Sequence, residues 1–309
     1  MKISIIIPVY NSSKTLGECL NSIYKSKIKD FEVIVVSGNS TDNSIEISKK
    51  YNTKIIDLSE NKGPAFARNK GSEIAQGEIL LFLDSDVMIE NDSLSIIIDK
   101  FSSSEIDAVQ GIYSHEPNYK YLATQFYQSY LCYYVWSKDK KYATTLVTGF
   151  FDIKKKIFIE QGGFDVSIKN ASCEDEKFGY SLIEKGYKII ILRNLQVVHR
   201  VNYNVIKFII RRLTQESDRI KFYLREKTYK NKIKQKNYYR VIAGIPLVGL
   251  ILFTVLISFF YKANIIWYIL ALLNIIYISL HFSFLRFVNY NKGLKVAFGS
   301  MLMFYLDTI

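Results

Sequence analysis

Cysteine and proline are scarce in this chain, with three and four residues respectively in 309. Cys19, Cys132 and Cys173 form no Cys-x-x-Cys pair. A disulfide framework and a zinc ribbon are therefore excluded, and the expected compartment is a reducing one. The shortage of proline, with only 15 glycines against 20 phenylalanines and 23 tyrosines, excludes a disordered or collagen-like chain. The start also lacks the pattern of a secretory leader: residues 1–8 are one short apolar run that reads as a strand. Acidic charge falls short of basic, at 29 Asp+Glu against 41 Lys+Arg, a net charge of +12. The length suits one large domain or two modest ones.

The excess charge has a location. Residues 200–240 hold 13 basic and 3 acidic residues, while residues 1–199 are close to neutral. A basic segment ahead of long apolar runs is the juxtamembrane pattern, which expects anionic lipid as partner rather than nucleic acid. Two such runs follow. Residues 241–261 carry no charge over 21 residues, and residues 265–285 are interrupted only by Asn274 and His281. About 20 apolar residues span a bilayer core, so both runs are candidate transmembrane helices. Only Lys262, Ala263 and Asn264 join them, which predicts a hairpin. The positive-inside rule then puts residues 1–240 and the 286–295 loop in the cytoplasm. Residues 294–309 form a shorter apolar run, open to reading as a third span, a re-entrant piece or an interfacial helix.

Residues 1–110 alternate strand and helix signals, as a parallel α/β sheet requires. Apolar strands are expected at 3–9, 31–36, 53–58 and 78–83, with helical spacing at Leu16, Cys19, Leu20 and Ile23 between the first two. Thr41 or Asp42 is placed to cap a second helix, and Pro64 to open a third. Turns at the carboxyl ends of such strands form the rim where ligands bind in open α/β sheets. Residues 119–136 hold eight aromatics on more than one helical face, which points to burial on two sides or to contact with a ligand.

Asp84-x-Asp86 closes the fourth strand. Two carboxylates at a ligand rim repel each other unless a cation lies between them, and Mg²⁺ or Mn²⁺ shared with a phosphate suits such oxygen donors. Glu174-Asp175 is a second acidic pair, ahead of an expected helix. Taken alone, it fits a solvated helix start equally well. His199 ends an apolar run, 189–198, and reads as structural or ligating according to its neighbours.

Taken in order, Ile5-Ile6-Ile7-Pro8-Val9-Tyr10-Asn11, Ser40-Thr41-Asp42, Asn61-x-Gly63, Ala67-Arg68-Asn69-x-Gly71, Gly77-Glu78 and Asp84-Ser85-Asp86 resemble glycosyltransferase family 2. Gly162-Gly163-Phe164-Asp165, Glu174-Asp175 and Val198-His199 extend the resemblance over about residues 1–215. It implies a GT-A, Rossmann-like nucleotide-sugar-binding domain at 1–215, followed here by the basic juxtamembrane segment at 200–240. A membrane region at 241–309, with two or three transmembrane helices, completes the expected organisation.

The resemblance further implies a nucleotide-sugar donor and an inverting, metal-dependent transfer. By matching position, Pro8, Tyr10 and Asn11 would line the nucleotide pocket and Arg68 would lie close to the nucleotide. Asp84 would contact the ribose or a metal-bound water, and Asp86 would bind Mg²⁺ or Mn²⁺ with help from His199. Asp175, or else Glu174, would be the general base. One departure stands out. Where relatives carry an aspartate that reads the nucleobase, this chain has Ser37-Gly38-Asn39-Ser40, leaving Ser37 and Asn39 as the candidate base contacts. The membrane hairpin implies a lipid-linked acceptor and a multi-pass protein with its catalytic domain on the cytoplasmic side of the cell membrane. A polyprenyl-phosphate sugar synthase and a non-catalytic membrane adaptor that keeps the fold are the rival expectations. A processive polysaccharide synthase is disfavoured, because Gln215 is followed by Glu216-Ser217-Asp218-Arg219 instead of the Gln-x-x-Arg-Trp expected there.

Overall fold

The computed structural model describes residues 2–102, 106–114, 119–136, 142–143, 146–147, 149–167, 173–225, 247–258 and 264–308. These form two compact units, residues 1–117 with 134–201, and residues 118–133 with 202–309. The division falls at 201, and residues 118–133 group with the carboxyl-terminal helices.

The first unit is built on one eight-stranded mixed sheet. Its strands are β1 (Ile3–Val9), β2 (Phe31–Ser37), β3 (Thr53–Asp57), β4 (Ile79–Leu83), β5 (Val87–Ile89), β6 (Ala108–Tyr113), β7 (Phe150–Lys154) and β8 (Ile189–His199), in the order β3-β2-β1-β4-β7-β6-β8-β5. The first four run parallel, as their continuous apolar runs anticipate for strands covered on both faces. β7 then enters antiparallel between β4 and β6, and β5 pairs antiparallel with β8. Helices α1 (Leu16–Tyr24), α2 (Ser44–Ser48), α3 (Pro64–Ile74), α4 (Ser93–Phe101), α6 (Lys155–Glu160) and α7 (Glu174–Glu184) accompany it; α5 (Leu122–Trp136) belongs to the second unit as far as residue 133. Pro64 does open α3, where its missing N–H costs no helical hydrogen bond.

Alternation along the strands makes two cores. Ile3, Ile5, Ile7, Val33, Val35, Leu81 and Val109 pack with Leu16, Leu20, Ile23, Leu94 and Ile97 on one face. Ile6, Ile34, Val36, Leu80, Phe82, Phe151 and Ile153 pack with Phe158, Phe164, Phe178 and Leu182 on the other. This second core is aromatic, with the Phe82 ring 4.9 Å from Phe158 and 5.1 Å from Phe164.

Asp152 interrupts the pattern. It lies opposite Leu81 on β4 and Val109 on β6 and is fully buried, and neither carboxyl oxygen has a hydrogen-bond partner among the described residues. Burial alone holds its pKa well above the ordinary carboxylate range, so the side chain is kept as the neutral acid. A proton retained by the folded chain and lost by the unfolded one lowers stability as pH rises above about 4. Replacing Asp152 with valine is therefore expected to stabilise the protein by about 1–3 kcal/mol at pH 8, with the gain shrinking toward pH 4. Melting temperatures at the two pH values check this, and an equal gain at both would show that Asp152 does not titrate as stated.

In the second unit, α8 (Val205–Arg225), α9 (Leu247–Ser258), α10 (Asn264–Lys292) and α11 (Leu294–Thr308) pack with α5. Phe126 of α5 is central to the core, with its ring 5.8 Å from Phe208, 5.9 Å from Phe284 and 4.9 Å from Phe304. Of the two explanations for the aromatic excess in this helix, core packing is the one seen. Gly293, at φ 84°, joins α10 to α11 in a conformation that suits glycine. The pairings Tyr305 with Asn274 and Phe304 with His281 and Phe284 show that α11 folds back antiparallel along α10. α8 buries Phe208 and exposes Ile206, Ile210 and Leu213, and its Arg212 meets Asp307 at 2.5 Å.

α10 contains the expected run 265–285. Its 29 residues include a window of mean hydropathy 2.0 that is mostly exposed, and it is long and apolar enough to cross a membrane. The expected run 241–261 is described only at 247–258, and the Lys262 hairpin and the 226–240 part of the basic segment lie outside the described residues. α11, at 15 residues, is shorter than a typical span.

Candidate active site

The candidate residues gather where strands β1, β2, β4 and β8 end. Val9 and Ser37 are paired in register, so the loops after β1 and β2 start side by side. Asn11 accepts a hydrogen bond from Thr41 N at 2.9 Å, and Asn11 N donates to Ser40 Oγ at 3.1 Å. Asp42 receives Ser13 N at 2.9 Å and Ser44 N at 3.0 Å, stitching the same loops. Burial works against the charge of Asp42, but the bonds from Ser44 and Ser13 outweigh it and hold its pKa down to about 2. Tyr10 is exposed above this lattice, and Asn11 and Asn39 both adopt positive φ, at 50° and 60°. The two residues proposed from sequence as base contacts differ in access. Ser37 is fully buried and bonded to Ser40, whereas Asn39 faces solvent.

The Asp84-Ser85-Asp86 segment is a turn, not a continuation of the strand. β4 ends at Leu83, and Val87 N bonds back to Asp84 O at 3.0 Å. The turn gives the two aspartates different partners. Asp84 Oδ1 accepts from Arg68 Nη2 at 2.8 Å. Asp86 reaches His199, with Oδ2 to Nε2 at 3.4 Å. The second contact follows from register: Val87 lies opposite His199, and Arg200 N bonds to Asp86 O at 2.7 Å. Tyr113 of β6 stacks on the His199 imidazole at 4.8 Å, and its hydroxyl fills the space where a side chain at Gly149 would begin. Tyr113 stood in no motif. Its position two residues along from a glycine in a short strand carried no signal.

The acidic pair at the start of α7 joins this rim through Arg68. Arg68 is only 2% exposed and donates from Nη1 to Glu174 Oε1 at 3.0 Å, with Glu174 itself 3% exposed. Burial opposes the guanidinium charge, but Asp84 and Glu174 keep its pKa raised. Asp175, partly exposed, has a pKa held well above the ordinary range by burial and by the neighbouring Glu174 and Glu176 charges, with Arg68 pulling the other way.

No group of three or more His, Cys, Asp or Glu side chains that could hold a metal ion is found among the described residues. What exists is the Asp86–His199 pair, with Asp86 34% exposed. A solvent-reached carboxylate beside a buried imidazole fits an ion that completes its shell with water and phosphate oxygens, as Mg²⁺ and Mn²⁺ do.

Residues 4–162, just over half of the chain, match the family described as glycosyl transferase family 2. The chain belongs to that family. Among curated relatives, the poly(ribitol-phosphate) beta-glucosyltransferase of Bacillus spizizenii is 42% identical over 102 residues, covering 30% of this chain and 16% of that protein. Glycosyltransferase GlyG of Streptococcus pneumoniae serotype 4 is 31% identical over 116 residues, covering 36% of this chain and 38% of that protein. The chain thus aligns with well under half the length of either. Among solved structures, the mannosyltransferase PcManGT from Pyrobaculum calidifontis, in complex with GDP-Man and Mn²⁺, has a TM-score of 0.67 at 17% identity and covers 97% of this chain and 86% of that one. S. aureus TarS 1–349 in complex with UDP-GlcNAc has a TM-score of 0.51 at 24% identity, with coverage of 66% and 60%. These neighbours share the fold.

Proposed function

We propose that the protein is a metal-dependent, inverting glycosyltransferase that moves a sugar from a nucleotide-sugar donor to a lipid-linked acceptor at the cytoplasmic face of the cell membrane. The observation that carries this reading is the convergence at one rim: Arg68 links a carboxylate at the end of β4 to the acidic pair of α7, beside Asp86 and His199. Fold neighbours solved with UDP-GlcNAc and with GDP-Man and Mn²⁺ support a nucleotide-sugar donor and a divalent ion.

In this reading Asp175 removes the proton from an acceptor hydroxyl. A carboxylate whose pKa is raised, here by burial and by the Glu174 and Glu176 charges, is a stronger base once ionised than an ordinary one. The hydroxyl oxygen attacks the anomeric carbon opposite the leaving nucleoside diphosphate, so a single displacement inverts that centre. Asp86 and His199 would hold Mg²⁺ or Mn²⁺, which when bound neutralises charge on the departing diphosphate. Tyr10, Asn11, Asn39 and Asp84 would line the nucleotide, with Pro8 shaping the wall behind them. Sugar transfer and donor hydrolysis, measured across a panel of radiolabelled nucleotide sugars with and without Mn²⁺, test the reading. No turnover of any donor would favour a non-catalytic adaptor.

The membrane part rests on α10 and on the exposed apolar side chains of α8, Ile206, Ile210 and Leu213. The full chain is expected to stay with membranes through high salt and alkaline carbonate and to need detergent for release. Release by salt alone would remove the transmembrane assignment.

A further inference from the structure

Arg68 is buried and spent on protein carboxylates, with each terminal nitrogen carrying a different one. Its neighbour Asn69 clasps Phe164 from both sides, with Nδ2 donating to Phe164 O at 2.8 Å and Phe164 N donating to Oδ1 at 2.9 Å. The Phe164 ring in turn lies 5.6 Å from the Arg68 guanidinium. The next residue, Asp165, meets Lys177 of α7 at 2.7 Å. Two consecutive residues of α3 therefore grip the start of α7 directly, through Glu174, and indirectly, through the 164–165 loop. Glu174 is the direct point of this grip, Lys177 the indirect one, and Asp175 follows Glu174 in sequence.

We infer that Arg68 is a positioning residue that ties Asp84 on the donor side to Glu174, and that Glu174 serves as the anchor that fixes Asp175. The inference rests on the reading of Asp175 as the base. It gives the adjacent acids different roles, since one accepts the guanidinium and the other faces the acceptor. A planar guanidinium suits this use, because its two terminal nitrogens can each serve a different carboxylate where a lysine offers one point of charge. A displacement of about 1 Å at a reacting group costs on the order of 10²-fold in rate, which sets the effect expected from losing the anchor.

The test is steady-state kinetics on the full-length chain in detergent, with four variants and the wild type. Glu174→Gln keeps an oxygen acceptor for Arg68 and is expected to lose only several-fold. Glu174→Ala is expected to lose about 10²-fold in kcat with little change in donor KM. Arg68→Ala releases both carboxylates, so it lowers kcat to a similar degree and also raises donor KM. The double variant Arg68→Ala/Glu174→Ala is expected to be no slower than Arg68→Ala alone, since both changes break one linkage. Glu174→Gln failing as badly as Glu174→Ala would overturn the inference by making Glu174 the base, and so would multiplicative losses in the double variant. If the wild type transfers no sugar, the functional reading fails instead, and melting temperatures of the same proteins decide the linkage. Arg68→Ala leaves Glu174 buried without its cation, so the double variant should melt no lower, and additive losses would refute the tie.

Discussion

Asp175→Asn is expected to bind donor as the wild type does and to transfer sugar about 10²–10⁴-fold more slowly. The amide keeps the size of the carboxyl and cannot take a proton from the acceptor hydroxyl. The environment adds a second signature. Burial and the charges of Glu174 and Glu176 raise the Asp175 pKa, so the group is protonated, and inactive as a base, over a wider acidic range than a free carboxylate. The wild-type rate should therefore fall with decreasing pH on a limb centred above about 4, the ordinary carboxylate value. That limb should disappear in Asp175→Asn. Steady-state rates across pH 4–9, paired with donor affinity from calorimetry, check both parts. Near-normal turnover in the variant would transfer the role to Glu174 or to water.

A second large loss is expected from Asp86→Ala, this time in binding. With a carboxylate removed from the Asp86–His199 pair, the diphosphate loses the ion that screens it. Changing residues that merely support metal ligands costs about 10–100-fold in affinity, so removing a ligand should cost no less. Titration of a nucleoside diphosphate with and without Mn²⁺ measures this directly. The wild type should gain affinity when Mn²⁺ is added, and the variant should not. An unchanged Mn²⁺-dependent gain in the variant would take Asp86 out of the site.

Much of the first unit was legible in the sequence, for a physical reason. Strands buried on both faces must be apolar throughout, so 3–9, 31–36 and 78–83 announced themselves, and the turn residues beyond them marked the ligand rim. The antiparallel part was harder. β5 is three residues long, and β7 follows a stretch with no periodic signal. Asp84 and Asp86 were visible as a motif, but reading them on an extended strand missed the turn that sends one to Arg68 and the other to His199. The link from Arg68 to Glu174 joins residues 106 apart, and no local pattern carries such a pairing. Asp152 was invisible too, because a lone aspartate between Phe151 and Ile153 looks like any exposed position of an alternating strand. In the second unit, the aromatic crowding of 119–136 signalled burial without saying against what.

The way α5 is shared out has a practical corollary for anyone seeking a soluble fragment. Because residues 118–133 belong with 202–309, the sheet-bearing unit is not one stretch of chain. Stopping translation after residue 201 would leave Phe126 and Tyr127 without Phe208, Phe284 and Phe304, turning a core into a sticky flank. An excised unit should behave better if a short polar linker replaces residues 118–133 as well, so that the orphaned helix leaves together with the bundle it serves.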